Sequence, residues 1–95
     1  MVEQIANHLP SGASLSFYRT AAGTEMDVVV EKGQRKIGFE AKFSSAPRVT
    51  KGFWQACADL QLDSAYVVAP VAEGWVMKAP AEVISVMDIA HKLKF

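Results

Sequence analysis

The sequence holds one cysteine, Cys57, in 95 residues. That excludes an internal disulfide and leads us to expect a reducing, cytoplasmic setting. The two histidines, His8 and His91, lie far apart in sequence and do not complete a zinc site with Cys57. No apolar run is long enough to span a bilayer, and no charged-then-apolar N-terminus of the signal-peptide kind is present, so no membrane association is expected. An excess of either charge is also missing. Ten basic and ten acidic residues cancel, so there is no global pull toward nucleic acid or a lipid surface, and any anion site must come from a local cluster. A G-x-x-x-x-G-K-[S/T] phosphate loop is absent, so the chain offers no ATP site by that route. Repeats, low-complexity tracts and linkers are absent as well.

What is present is a well-patterned apolar complement. About half the residues (51%) are apolar, which excludes a disordered chain, and the length suits one domain over residues 1–95. Val2, Ile5, Ala6 and Leu9 fall at helical spacing before Pro10. Residues 15–20 read as a strand with Leu15, Phe17 and Arg19 on one face. Residues 25–31 form a second strand, Lys32-Gly33-Gln34 a hairpin turn, and residues 35–44 a third strand. Short connections make these an antiparallel meander. The period then changes: Val49, Phe53, Ala56, Cys57 and Leu60 trace a helical stripe after Pro47. Residues 65–69 (AYVVA) read as a strand buried on both faces, reached by a helical crossover. Residues 74–78 give one more short strand, and the tail over 82–93 mixes β-branched residues with a helical end. The expected fold class is α/β: helix, three-stranded meander, helix, strand, strand and short helix, with the sheet flanked by helices.

The third strand carries GFEAKFS, residues 38–44. Alternation puts Ile37, Phe39, Ala41 and Phe43 on one face and Lys36, Gly38, Glu40 and Lys42 on the other. In the second strand Glu25, Asp27 and Val29 share a face opposite Met26, Val28 and Val30. Pairing through the turn brings Asp27 near Glu40, so two carboxylates and a lysine project from adjacent strands, which we expect to lie beside the first helix. Two carboxylates at a strand end suit a hard divalent cation such as Mg²⁺ or Mn²⁺, with the Ala41 carbonyl as a further oxygen. Such an ion activates water and stabilises charge on a phosphoryl oxygen. Lys42 is placed to orient the water or steady the transition-state charge, and Gly38 leaves room on that face. The competing reading is a solvated strand face with no chemistry.

An Asp followed thirteen residues later by Glu-x-Lys at the end of the next strand, then a helix and a buried strand, resembles the restriction-endonuclease-like superfamily, written PD-(D/E)xK. Tyr18-Arg19-Thr20, Gly23, Glu25 to Val30 and Phe39-Glu40-Ala41-Lys42 also resemble the C-terminal segment of a large family of prokaryotic AAA-type ATPases, a domain of unknown function. The resemblance runs from the first strand to the end of the chain. It implies that Asp27 and Glu40 are metal-binding acids and Lys42 the catalytic lysine of a Mg²⁺-dependent nuclease. It implies a further acid from the first helix, where Glu3 is the one available, and Glu25 is a candidate by its shared face. Met26 stands where the superfamily has proline. The resemblance also implies a C-terminal module or fragment of a longer ATPase-type protein, in keeping with a chain that starts at Met1 directly inside a helical pattern.

Other residues carry plainer readings. Arg48 and Lys51 at the start of the second helix, with Gln55 one turn on, are candidate nucleic-acid contacts or a solvated helix end. Arg19 and Glu25 form a cross-strand ion pair. Phe53 and Trp54 pack helix on sheet, Trp75 caps the sheet edge, and Cys57 is a small buried hydrophobe. Two function classes follow: a nuclease acting on nucleic acid, or an inactive nuclease-fold module that binds or regulates an AAA-type ATPase or another protein. The neutral charge balance leans toward the second. A homodimer through a sheet edge or the C-terminal tail is a third possibility.

Overall fold

In the computed structural model, which describes residues 1–94, the chain is a mixed α/β fold built on one six-stranded sheet flanked by helices. Helix α1 (Val2–Asn7) precedes strands β1 (Ser14–Arg19), β2 (Glu25–Lys32) and β3 (Arg35–Ala41). Helix α2 (Lys51–Leu60) leads to β4 (Ser64–Ala69), β5 (Trp75–Val76) and β6 (Ala81–Ser85). A 3₁₀ turn (Val86–Asp88) and α3 (Ile89–Lys92) follow. The strand order is β1-β2-β3-β4-β6-β5.

The first three strands form the expected antiparallel meander. Gly33, at φ +61°, opens the two-residue turn between β2 and β3; a glycine at that place matches the right-handed twist of a tight hairpin. Joining β3 in parallel to β4 requires a crossover, and α2 supplies it. The Thr50 hydroxyl oxygen accepts the Phe53 N–H at its start, and Gln61 in the left-handed region (φ 54°) stops it.

Each face of the sheet is sealed by a helical layer. Phe53, Ala56 and Cys57 of α2 pack on Met26, Val29 and Val67. Ile5 of α1 and Ile89 of α3 pack on Val28, Phe39 and Ile84 across the other face. β4 is buried along nearly its whole length because both layers cover it, as its continuous apolar run anticipates. Burial pushes the Cys57 thiol up to about 11, in keeping with a packing role. Phe53 and Trp54 meet edge to face at 5.2 Å.

Three expectations change. The sheet has six strands, because Ala81–Ser85 is a buried strand parallel to β4 rather than part of a helical tail. Phe43 leaves the core face: β3 ends at Ala41, and the phenyl ring is 96% exposed. Met26 moves to the α2 layer with Val29. The register explains this last change, for Ser16 faces Val29 and Tyr18 faces Met26, so Phe17 alone opposes Asp27 and Val28. That irregularity is a β-bulge, which breaks alternation locally.

Gly74 lies where the chain turns into β5 against β6. A Cβ there would overlap the Val83 carbonyl. Backbone cannot yield as a flexible side chain does, so Gly74→Ala is expected to destabilise by at least the ~1–3 kcal/mol typical of overpacking, read as a lower urea midpoint.

Candidate metal centre at the ends of β2 and β3

The β2–β3 register pairs Val28 with Phe39 and Val29 with Gly38. One residue further along, the same register sets Asp27 opposite Glu40. Here side chains replace the ladder. The Asp27 N–H donates to Glu40 Oε1 at 3.1 Å, and the Ala41 N–H donates to Asp27 Oδ2 at 2.9 Å. Each carboxylate is therefore held by backbone of the neighbouring strand, leaving Asp27 Oδ1 and Glu40 Oε2 as the remaining donor oxygens of the pair. An extended residue points its N–H and C=O the same way, so the Ala41 carbonyl is also directed toward β2. The Lys42 N–H donates to the Val68 carbonyl at 2.9 Å, pinning the residue to β4, and its Nζ lies 3.7 Å from Glu40 Oε2. The bulge at Asp27 is a device that commonly re-aims a side chain beside a site.

Glu40 is buried at 7% exposure. Burial, and next the neighbouring Asp27 carboxylate, raise its pKa above the ordinary 4.5; the Asp27 N–H and the Lys42 ammonium offset part of this. A raised native pKa means that the folded state holds the proton more tightly than the unfolded chain. The stability contribution is thus fully present below about 4.5 and is lost as pH rises through the native value. Glu40→Gln keeps an acceptor for the Asp27 N–H and removes the desolvated charge. It is expected to raise the melting temperature at pH 7 relative to wild type, with the difference shrinking toward pH 4, as followed by thermal denaturation across that range.

The donor set suits a hard cation. Mg²⁺ is commonly bound through one or two carboxylates while retaining several waters. Among the described residues no group of three or more His, Cys, Asp or Glu side chains comes together, so a third acid does not join the pair. Glu3 is exposed on α1, whose Ile5 packs on the sheet face opposite α2. Glu25 pairs with Arg19 at 3.1 Å, with both side chains well exposed; such a pair contributes well under ~1 kcal/mol. Glu40 lies on the α2 side of β3, opposite Phe39, while Met1 at the start of α1 lines a hollow with Ala41 and Lys42. Gly38 does not leave open room: a Cβ there would come within 2.8 Å of Leu62 Cδ1 and 3.0 Å of Met26 Cγ. Its small size serves core packing under α2.

Arg48 and Lys51 are exposed. Lys51 and Gln55 line a hollow with Gly23 and Thr24, and Gln55 Nε2 donates to Asp59 at 2.7 Å. None of the three reaches the acid pair by a direct contact in the structure. Two residues that sequence reasoning passed over do adjoin it. Phe17 lines a hollow with Asp27, and Phe43 lines another with Ala41 and Lys42. The available signal was an aromatic within the first strand and an aromatic directly after the lysine.

The fold and this constellation define a mixed α/β domain with an acid pair and a lysine at adjacent strand ends. The chain belongs to the family described as Domain of unknown function (DUF4143), which matches residues 1–89. It is 36% identical over 70 residues to Uncharacterized protein Mb2031c of Mycobacterium bovis and, equally, to Uncharacterized protein Rv2008c of Mycobacterium tuberculosis. Each match covers 74% of this chain and 16% of the relative, so the chain spans a small part of those proteins' length. No solved structure matches the chain significantly. No helix among the described residues is long and apolar enough to cross a membrane.

Proposed function

We propose that the chain is a restriction-endonuclease-like module whose Asp27 and Glu40 hold Mg²⁺ or Mn²⁺, and that it hydrolyses phosphodiester bonds of nucleic acid. The observation carrying this reading is the reciprocal fastening of the two carboxylates by backbone N–H groups, with Lys42 Nζ 3.7 Å from one of them. Pre-set carboxylates lose little freedom on gaining a cation, and a cation relieves the repulsion that burial imposes on the pair. A bound ion would supply an activated water and a Lewis acid for the phosphoryl oxygen. The chain's own part is positional. Asp27 and Glu40 fix the ion at the sheet end, and Lys42 presents its ammonium to the attacking water or the developing negative charge. The test is cleavage of labelled DNA and RNA by the full chain. Turnover with Mg²⁺ or Mn²⁺, absent in EDTA, supports the reading; intact substrates under all conditions count against it.

A second reading, a non-cleaving module that binds or regulates an AAA-type ATPase, is favoured by the zero net charge and by Val76 and Met87, at 80% and 87% exposure. Exposed apolar groups of this kind suit protein contact, including pairing of two copies through a sheet edge. It predicts no divalent-metal binding. A cytoplasmic location and a place at the C-terminus of a larger ATPase-type protein belong to the same proposal.

A further inference from the structure

Two exposed phenyl rings flank the acid pair across the end of the sheet. Phe17 on β1 is 68% exposed and lines a hollow of about 370 Å³ with Arg19, Met26 and Asp27. Phe43, 96% exposed, lines a mostly apolar hollow of about 330 Å³ that includes Lys42 and reaches Val68 and Ala69 of β4. Across the neighbouring strands β1, β2 and β3 lie Phe17, Asp27 and Glu40 in turn, with Lys42 and Phe43 on the chain directly after the end of β3. Two strand spacings separate β1 from β3, roughly 10 Å, a span that a few nucleotides cover.

Neither ring belongs to either buried core cluster. Both rings are exposed and share hollows with the polar centre, Phe17 with Asp27 and Phe43 with Lys42, so each offers an apolar face beside it. The zero net charge bears on what would cover them. Grip on duplex DNA comes largely from neutralising phosphates with Lys and Arg; here Lys42 lies 3.7 Å from Glu40 Oε2, and Arg19 beside Phe17 is paired with Glu25 at 3.1 Å. Stacking of unpaired bases on aromatic rings gives affinity without a basic surface.

We infer that the site takes a single-stranded or locally unpaired nucleic acid, with Phe17 and Phe43 as stacking platforms for bases on either side of a phosphate that Lys42 and a cation on Asp27 and Glu40 would hold. Duplex substrate is disfavoured because its bases are already stacked on one another and have no free faces to offer the rings. The inference rests on the phosphodiester reading above, and its test separates the two.

The test is fluorescence anisotropy of a short labelled single strand and of its duplex, with Ca²⁺ in place of Mg²⁺ and the full chain as titrant. Wild type is expected to prefer the single strand. Phe17→Ala and Phe43→Ala should each weaken single-strand binding by about tenfold and change duplex binding by less than about twofold, while Phe43→Trp restores or tightens it. Both rings are exposed, so the folded state is retained and checked by circular dichroism. Mn²⁺ affinity, measured on the same variants, should stay at the wild-type value because neither ring is a ligand. Equal affinity for duplex, no effect of either alanine, or no binding of any strand overturns the inference. If single-strand binding ignores the rings while metal-dependent cleavage persists, the inference falls alone. If the rings govern single-strand binding but no metal binds and nothing is cleaved, the platform stands and the hydrolytic reading falls.

Discussion

Lys42→Ala is expected to lower metal-dependent turnover by about 10²–10³-fold, the usual effect of removing one preorganised group that stabilises transition-state charge. The loss should fall on the chemical step and not on the cation. Lys42 Nζ lies 3.7 Å from Glu40 Oε2, where it would compete with a bound metal for that oxygen. Removing the ammonium therefore leaves Mn²⁺ affinity unchanged or tightens it. This split, with weaker turnover beside equal or stronger metal binding, distinguishes a catalytic lysine from one that only neutralises a buried carboxylate. Single-turnover cleavage and a Mn²⁺ titration on the same protein read the two halves.

Phe39→Ala is expected to destabilise the fold by about 3–5 kcal/mol, the cost of truncating a large buried aromatic and leaving a cavity. Phe39 is wholly buried between β3 and the α1–α3 layer, and its ring lies 5.3 Å from that of Tyr66 on the parallel neighbour β4. A domain of this size has about 5–15 kcal/mol in total, so one substitution removes a large share. At roughly 4–8 °C per kcal/mol, the melting temperature should fall by well over 10 °C. Phe39 precedes Glu40, so the same change should loosen the acid pair. Urea unfolding followed by tryptophan fluorescence measures the stability term directly.

The meander, the α2 crossover and the buried β4 were legible because each has a clear period or composition. Alternation and a glycine turn mark β2 and β3, a helical stripe marks α2, and the unbroken AYVVA run marks β4. The opposition of Asp27 and Glu40 was legible too, since a hairpin turn fixes register. What escaped notice depends on tertiary context. Strict alternation put Met26 on the face of Val28 and opposite Val29, and the bulge opposite Phe17 undid that. β6 is five residues with Glu82 inside it, too short and too polar to announce a buried parallel strand; the structure accommodates Glu82 through Lys92 at 3.2 Å. Gly38 looked like space for a substrate, although Leu62, twenty-four residues on, occupies it. Phe43 looked like the last core residue of β3, but the strand had ended two residues earlier. The part of the site made by strand register could thus be read from sequence, whereas its surroundings depend on where strands end.

The most direct test is a Mn²⁺ titration of the wild-type chain and of Asp27→Asn, followed by calorimetry or amide shifts. Asparagine retains the carbonyl that can accept the Ala41 N–H, so the variant isolates the carboxylate charge. The account predicts saturable binding by wild type, amide shifts centred on residues 27 and 40–42, and loss of both in the variant. Absence of binding at millimolar Mn²⁺, or equal binding by the two proteins, would contradict it.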